Sequence, residues 1–293
     1  MLVAAAIGLT AQAPLAWADS HEGINIVLAI LVLATAVTIE PAALGRLSRS
    51  WRRLLVVLVT GVTVLPALSF AVSRVVAAGS LRDGMLTVGL APCEIASVAT
   101  TAMAGGSAAL SAGVLVGSTI ATVVVAGPIL SLEASHVSVH PGHVVSNLAR
   151  VCLLPLAVGL GIRALGPIGA SAERAATVTA TLAVAALVAL IAAQVHLSLA
   201  YLAVSGGLLL FLLGSAAIGR VIGIGSARVD GSAVLLTTSM RDFAIAAGLA
   251  SAAFGAAAAA PLGLYGIFVL VWGTGVAGLL RRRSAAQVAP QPS

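Results

Sequence analysis

The sequence predicts an all-α membrane protein of ten transmembrane helices arranged as two inverted five-helix repeats, and three observations carry that prediction. Sixty per cent of the 293 residues are hydrophobic and only 8% are charged, with a mean hydropathy of +1.14, far above what a water-soluble core requires. Apolar runs long enough to cross a bilayer recur along nearly the whole chain. Two of these runs, half a chain apart, open on Asp-Gly and carry ionisable residues in mid-membrane. The alternating ten-residue segments of a transmembrane β-barrel are missing. Aromatics make up only 3% and glycines number 31, a composition that suits helices packed closely through small residues.

In chain order, the runs fall at 24–39, 54–72, 84–103, 110–130, 144–162, 176–197, 202–222, 232–253 and 261–280. A tenth span comes from the N-terminal "MLVAAAIGLTAQAPLAWADS", which is short and interrupted by Pro14. Its end resembles a small-residue cleavage site, but no basic residue precedes the apolar stretch, which favours a first helix over a signal peptide. The tail 284–293, "SAAQVAPQPS", is expected to be disordered. Cys93 and Cys152 both fall in apolar segments and imply no disulfide framework.

Charge orients these spans, because basic residues are retained on the cytoplasmic side. All 15 basic residues are arginines. Arg46, Arg49, Arg52, Arg53, Arg163, Arg174, Arg220, Arg228, Arg281, Arg282 and Arg283 fall on one side, against Arg74, Arg82 and Arg150 on the other. The chain is therefore expected in the cytoplasmic membrane with both termini cytoplasmic, and its net charge of +6 reports topology rather than nucleic-acid binding.

The remaining arginine, Arg241, lies mid-span beside Asp242, where an ionisable residue costs at least about 2.5–3.5 kcal/mol and normally faces a cavity or a partner. Setting "DGMLTVGLAPCEIASVATTAMAGG" from Asp83 above "DGSAVLLTTSMRDFAIAAGLASAAFG" from Asp230 gives an offset of 147 and places Glu94 on Arg241. The offset pairs the fourth helix with the ninth, an odd spacing that forces opposite orientations, as in an inverted-topology repeat. The repeats are 1–134 and 135–283. Pro92 removes a backbone donor and biases Ala91 away from helix, and "TTSM" before Arg241 offers hydroxyls for freed backbone groups. Interrupted helices are tolerated in lipid only where they line a cavity or are buried in protein. Both breaks point to a binding site in which Glu94 is expected to face Arg241, the alternative being a purely structural pair of Arg241 with Glu94 or Asp242.

The run "APCEIASVATTAMAGGSAALSAGVLVGSTIATVVVAGPIL" resembles the fourth and fifth helices of the bile acid:sodium symporter family. "VLPALSF" at 64–70, "LLPLAVGLGIRAL" at 153–165 and "PLGLYGIFVLVWGTGVAGLL" after the ninth helix extend the resemblance. It implies a secondary transporter with panel and core domains and with helices four and nine broken and crossed in the core. It implies no enzyme and no cofactor; the partners are a small anionic substrate and the lipid bilayer.

The resemblance carries over unevenly at the ion site. Sodium-coupled members continue Ser-Asn in helix four, place a Thr one turn after the Ser of Ala-Leu-Ser, and have Glu and then Gln-Asn in helix nine. This chain keeps Ser97 and Ser111, but has Val98, Leu115, Thr237, Arg241 and Asp242 at the other positions. A guanidinium supplies positive charge where Na⁺ needs oxygen ligands, so sodium coupling by the usual site is not expected. Glu94 offers a proton carrier instead. The candidate site comprises Cys93, Glu94, Ser97, Thr100, Thr101, Ser111, Thr237, Thr238, Arg241 and Asp242.

Organic-anion transport is the leading reading. Related arsenite carriers also have a cysteine at the fourth-helix break, so Cys93 makes arsenical efflux the alternative, and a membrane sensor on the same fold is a third. Gln194, His196 and Glu40 read as helix-end residues, His136, His140 and His143 as solvated loop histidines, and the Gly113 to Gly117 spacing as helix packing.

Overall fold

The computed structural model describes residues 23–39, 50–76, 79–133, 141–192 and 199–288. The first predicted span, with Glu40, His136, His140, Gln194 and His196, lies outside the described residues. Every regular element described is helical. The order begins with α1 (Gly23–Thr38), α2 (Trp51–Val62), α3 (Val64–Val76), α4 (Ser80–Leu90), α5 (Ala96–Met103), α6 (Ala108–Glu133) and α7 (Pro141–Leu148). A π turn (Ala149–Leu153) then leads into α8 (Leu154–Ala164), α9 (Ala170–Ala192), α10 (Leu199–Ile222), α11 (Arg228–Ser239), α12 (Phe243–Phe254), α13 (Ala256–Ala259) and α14 (Leu262–Val288).

Five stretches among the described residues are long and apolar enough to cross a membrane: Trp51–Val75, Ala108–Leu132, Gly142–Ala164, Tyr201–Ile222 and Ala257–Arg282. The predicted spans 84–103 and 232–253 are each divided into two helices of 8 to 12 residues, too short to cross singly.

Local chemistry explains the interruptions. Pro155 has no N–H for the Val151 carbonyl, and the chain just before it widens into the π turn, a common way to absorb such a defect. The α5 end turns sharply at Gly105, whose φ of 70° lies in the left-handed region. The Gly106 amide closes the turn by donating to the Thr101 carbonyl at 2.8 Å. The last helix runs through Arg281–Arg283 to Val288. The described part of the tail expected to be disordered is therefore helical, because "SAAQV" holds good helix formers and the first proline comes only at Pro290.

The helices pack in two groups. In one, α1, α8 and α9 lie together; a Cβ on Gly159 would stand 2.5 Å from that of Ala36, so the α8 backbone rests directly on α1. In the other, α4, α5, α11 and α12 are central, flanked by α2, α3, α6, α10 and α14. The buried polar residues collect mainly in this second group.

Candidate functional site

The centre of the molecule is the meeting of two helix breaks. The first opens at Ala91, extended at φ −60° and ψ 150° as the residue before proline. The second opens at Met240, φ −88° and ψ 104°. It is closed by Asp242, whose carboxylate accepts from the amides of Ala244 and Ile245 at 2.9 Å each and so caps α12. The two extended segments lie antiparallel, bridged at Cys93 and Arg241. The Glu94 amide donates to the Met240 carbonyl at 2.8 Å, and the Asp242 amide donates to the Pro92 carbonyl at 2.9 Å.

Hydrocarbon offers no water for the freed backbone groups, so neighbouring helices must bond them. Thr122 of α6 donates to the Leu90 carbonyl at 2.8 Å. Ser118 of α6 accepts from the Cys93 amide at 3.1 Å. Arg241 donates to the Ala91 carbonyl, and Ser215 of α10 to the Ser239 carbonyl at 3.4 Å. The sequence reading missed Ser118 and Thr122. Their signal was available, since Ser111, Ser118 and Thr122 recur at helical spacing and mark one face of α6.

All ten predicted site residues are buried. Cys93, Glu94, Arg241 and Asp242 form the crossing itself. Ser111 donates to Thr101 at 2.8 Å, joining α6 to α5. Ser97 points its hydroxyl at the Cys93 sulfur, 3.7 Å away. Thr100 bonds the Ala96 carbonyl of its own helix and lies 3.5 Å from the Met240 sulfur. Thr237 likewise bonds the Ala233 carbonyl within α11, whereas the Thr238 hydroxyl has no partner among the described residues.

The expected facing of Glu94 and Arg241 is not found: neither an ion pair nor a hydrogen bond joins them. The register explains why. Cys93 stands opposite Arg241, and successive residues of an extended chain point to opposite sides. Arg241 therefore shares a face with Cys93, and Glu94 points the other way. The guanidinium ends against α2, where a Cβ on Gly61 would lie 3.5 Å from Nη1.

Glu94, on the opposite face, lines a cavity of about 670 Å³. The walls come from α1 (Leu31, Thr35, Thr38), α5 and the start of α6 (Ala99, Ala102, Ala108), α9 (Glu173, Thr177, Thr181) and Leu270 of α14. Glu173 is exposed, so the α9 start forms the mouth. Cys93 is fully buried and does not line this cavity. One further carboxylate is engaged away from it: Asp230, at the opening of α11, accepts from Arg53 and from Ser50, tying α11 to the start of α2.

These are the features of a multi-pass helical membrane protein with broken helices crossing beside a cavity. A match to the sodium bile acid symporter family covers residues 25–205, which includes the first break and ends before the second. No curated protein matches the chain. Since the family match spans more than half of the 293 residues, the chain belongs to the sodium bile acid symporter family and is a membrane transporter, not an enzyme.

Proposed function

We infer that the chain is a secondary active transporter that moves a small organic solute across the cytoplasmic membrane by alternating access. The observation that carries this reading is the antiparallel crossing of two broken helices, at Cys93 and Arg241, beside a cavity of about 670 Å³ between α5 and the α1–α9 pair. With a span over residues 1–18, the helices make ten spans in two inverted halves, 1–134 and 135–283. The two breaks after Asp-Gly starts, at an offset of 147, support that division. In this reading α1, α8 and α9 act as the panel, and the helices around the crossing act as the core. The arginine distribution supports cytoplasmic termini.

A coupling ion other than Na⁺ is supported by Arg241. Its guanidinium bonds the carbonyl at the end of α4, a position where half-helix ends and unwound carbonyls otherwise hold a free cation. Glu94, which lines the cavity, is the better carrier of a coupled proton. The organic anion implied by the family resemblance gains no contact from Arg241, which lies on the far face of the crossing. Arsenical efflux loses support in the same way, because Cys93 does not reach the cavity.

Thiol accessibility tests the transport reading without a known solute. Ala99→Cys, on the cavity wall, is expected to react with a membrane-impermeant maleimide from either face, in right-side-out and in inverted vesicles. The native Cys93 and Cys152 are buried and give little background. Labelling from one face alone under all conditions would show a static scaffold.

A further inference from the structure

Among the described residues, the charged side chains that line the cavity beside Glu94 are all acidic: Glu94 itself and Glu173. The hydroxyls of Thr35, Thr38, Thr177 and Thr181 all donate to carbonyls of their own helices, at 2.7 to 2.9 Å, which leaves their lone pairs free. Glu94 is 2% exposed, and its Oε2 has no hydrogen-bond partner among the described residues. The positive groups of the crossing are engaged already: Arg241 bonds Ala91 on the opposite face, the Ala244 and Ile245 amides of α12 bond Asp242, and the Phe243 amide donates to Glu94. An anion entering this cavity would meet two carboxylates and find the amides of Ile95, Ala96 and Phe243 already taken by Glu94.

We propose that the cavity takes an organic cation, an apolar body bearing an ammonium or amidinium head that pairs with the Glu94 carboxylate. This rests on the transporter reading and names its substrate class. The volume suits a small molecule, since such sites span roughly 300–1,000 Å³. Cation and proton compete for one carboxylate: the arriving cation displaces the proton, which leaves through the mouth past Glu173, and reprotonation releases the cation. The other titratable or charged groups around Glu94 are Asp242 and Arg241 of the second break, Tyr265 of α14, Cys93 on its own segment and Glu173 across the cavity, while α1 contributes none. No covalent step is involved, and charge balances as one cation exchanged for one proton.

The test is calorimetric titration of the purified full chain with benzyltrimethylammonium and benzyltributylammonium, and with benzylsulfonate as the anion of matched skeleton, in two buffers of different ionisation enthalpy. The ammonium ions are expected to bind with release of a proton and to bind more tightly as pH rises. Glu94→Gln should weaken them by about tenfold or more, as expected when one partner of a buried charge pair is lost. Glu173→Gln, at the exposed mouth, should weaken them by about threefold, and it serves if Glu94→Gln does not fold. Tighter binding of the sulfonate, ammonium binding without proton release, or undiminished binding to Glu94→Gln would each overturn the proposal. If neither series binds while Ala99→Cys labels from both faces, the transporter reading stands and the cation assignment falls.

Discussion

The carbonyl of Ala91 accepts a hydrogen bond from the guanidinium of Arg241, so the arginine of the second break is spent on the backbone of the first. Pro92 creates the need, because a break in mid-membrane exposes carbonyls that lipid cannot solvate. Arg241 is 3% exposed, and the carboxylate that faces its charge is that of its neighbour Asp242. The contact therefore joins the two halves of the chain and balances charge at their centre.

Replacing Arg241 separates these two effects. Arg241→Met, similar in length, removes both the donor and the charge and is expected to cost about 3–5 kcal/mol, as for other broken buried charge arrangements. Arg241→Lys retains the charge on a single ammonium and should lose less. Chemical denaturation of the detergent-solubilised protein measures both, and equal losses would show that charge at this position is immaterial.

Asp242 acts as the cap of α12. Asp242→Ala should cost about 1–2 kcal/mol, at the upper end for a lost cap because Ala244 and Ile245 keep buried, unpaired amides. Asp242→Asn retains an acceptor and should fall nearer the parent protein. A melting series of the three proteins decides it, and an Asn variant as unstable as the Ala variant would mean that the carboxylate's charge, not the cap, matters.

The two Asp-Gly starts are not equivalent in packing. A Cβ on Gly84 would lie 2.0 Å from the Ala258 carbonyl oxygen, whereas one on Gly231 would meet its nearest neighbour, the Gly223 carbonyl oxygen, at 3.5 Å. Gly84→Ala is expected to abolish folding or to cost more than the usual overpacking penalty of about 1–3 kcal/mol, while Gly231→Ala is tolerated. Comparing the two by fluorescence-detected size exclusion would expose the error if they behave alike.

Ser118 sustains the first break from α6. Ser118→Ala leaves the Cys93 amide without its acceptor and should cost about 1–3 kcal/mol. Ser131→Ala, near the other end of the same helix, removes only an exposed hydroxyl that donates to the Pro128 carbonyl and should change little. Matching stability losses in the two variants would contradict the assignment.

Sodium should not stabilise the protein. An ion that binds the native state raises Tm with concentration by mass action, and here the Ser111 hydroxyl is bonded to Thr101 while Ser97 faces a sulfur. Melting in NaCl and in choline chloride at equal ionic strength should coincide. A rise in NaCl alone would reveal a sodium cage.

The five long spans among the described residues, the break at Pro92 and the membrane setting are legible along the chain because each depends on local properties: apolar length, a missing proline donor and a hydrophobic composition. The second break is legible more faintly, through Asp242 ahead of an apolar run, since no proline marks it. The alignment of the two Asp-Gly segments likewise gathers Glu94, Arg241 and Asp242 at one depth. Which of them meet is a different kind of fact. Two extended segments can lie side by side in registers that differ by one residue, and each shift sends every side chain to the opposite face. Only the tertiary structure, by setting Cys93 rather than Glu94 opposite Arg241, turns the guanidinium toward Ala91 and Gly61 and leaves the Glu94 carboxylate to the cavity.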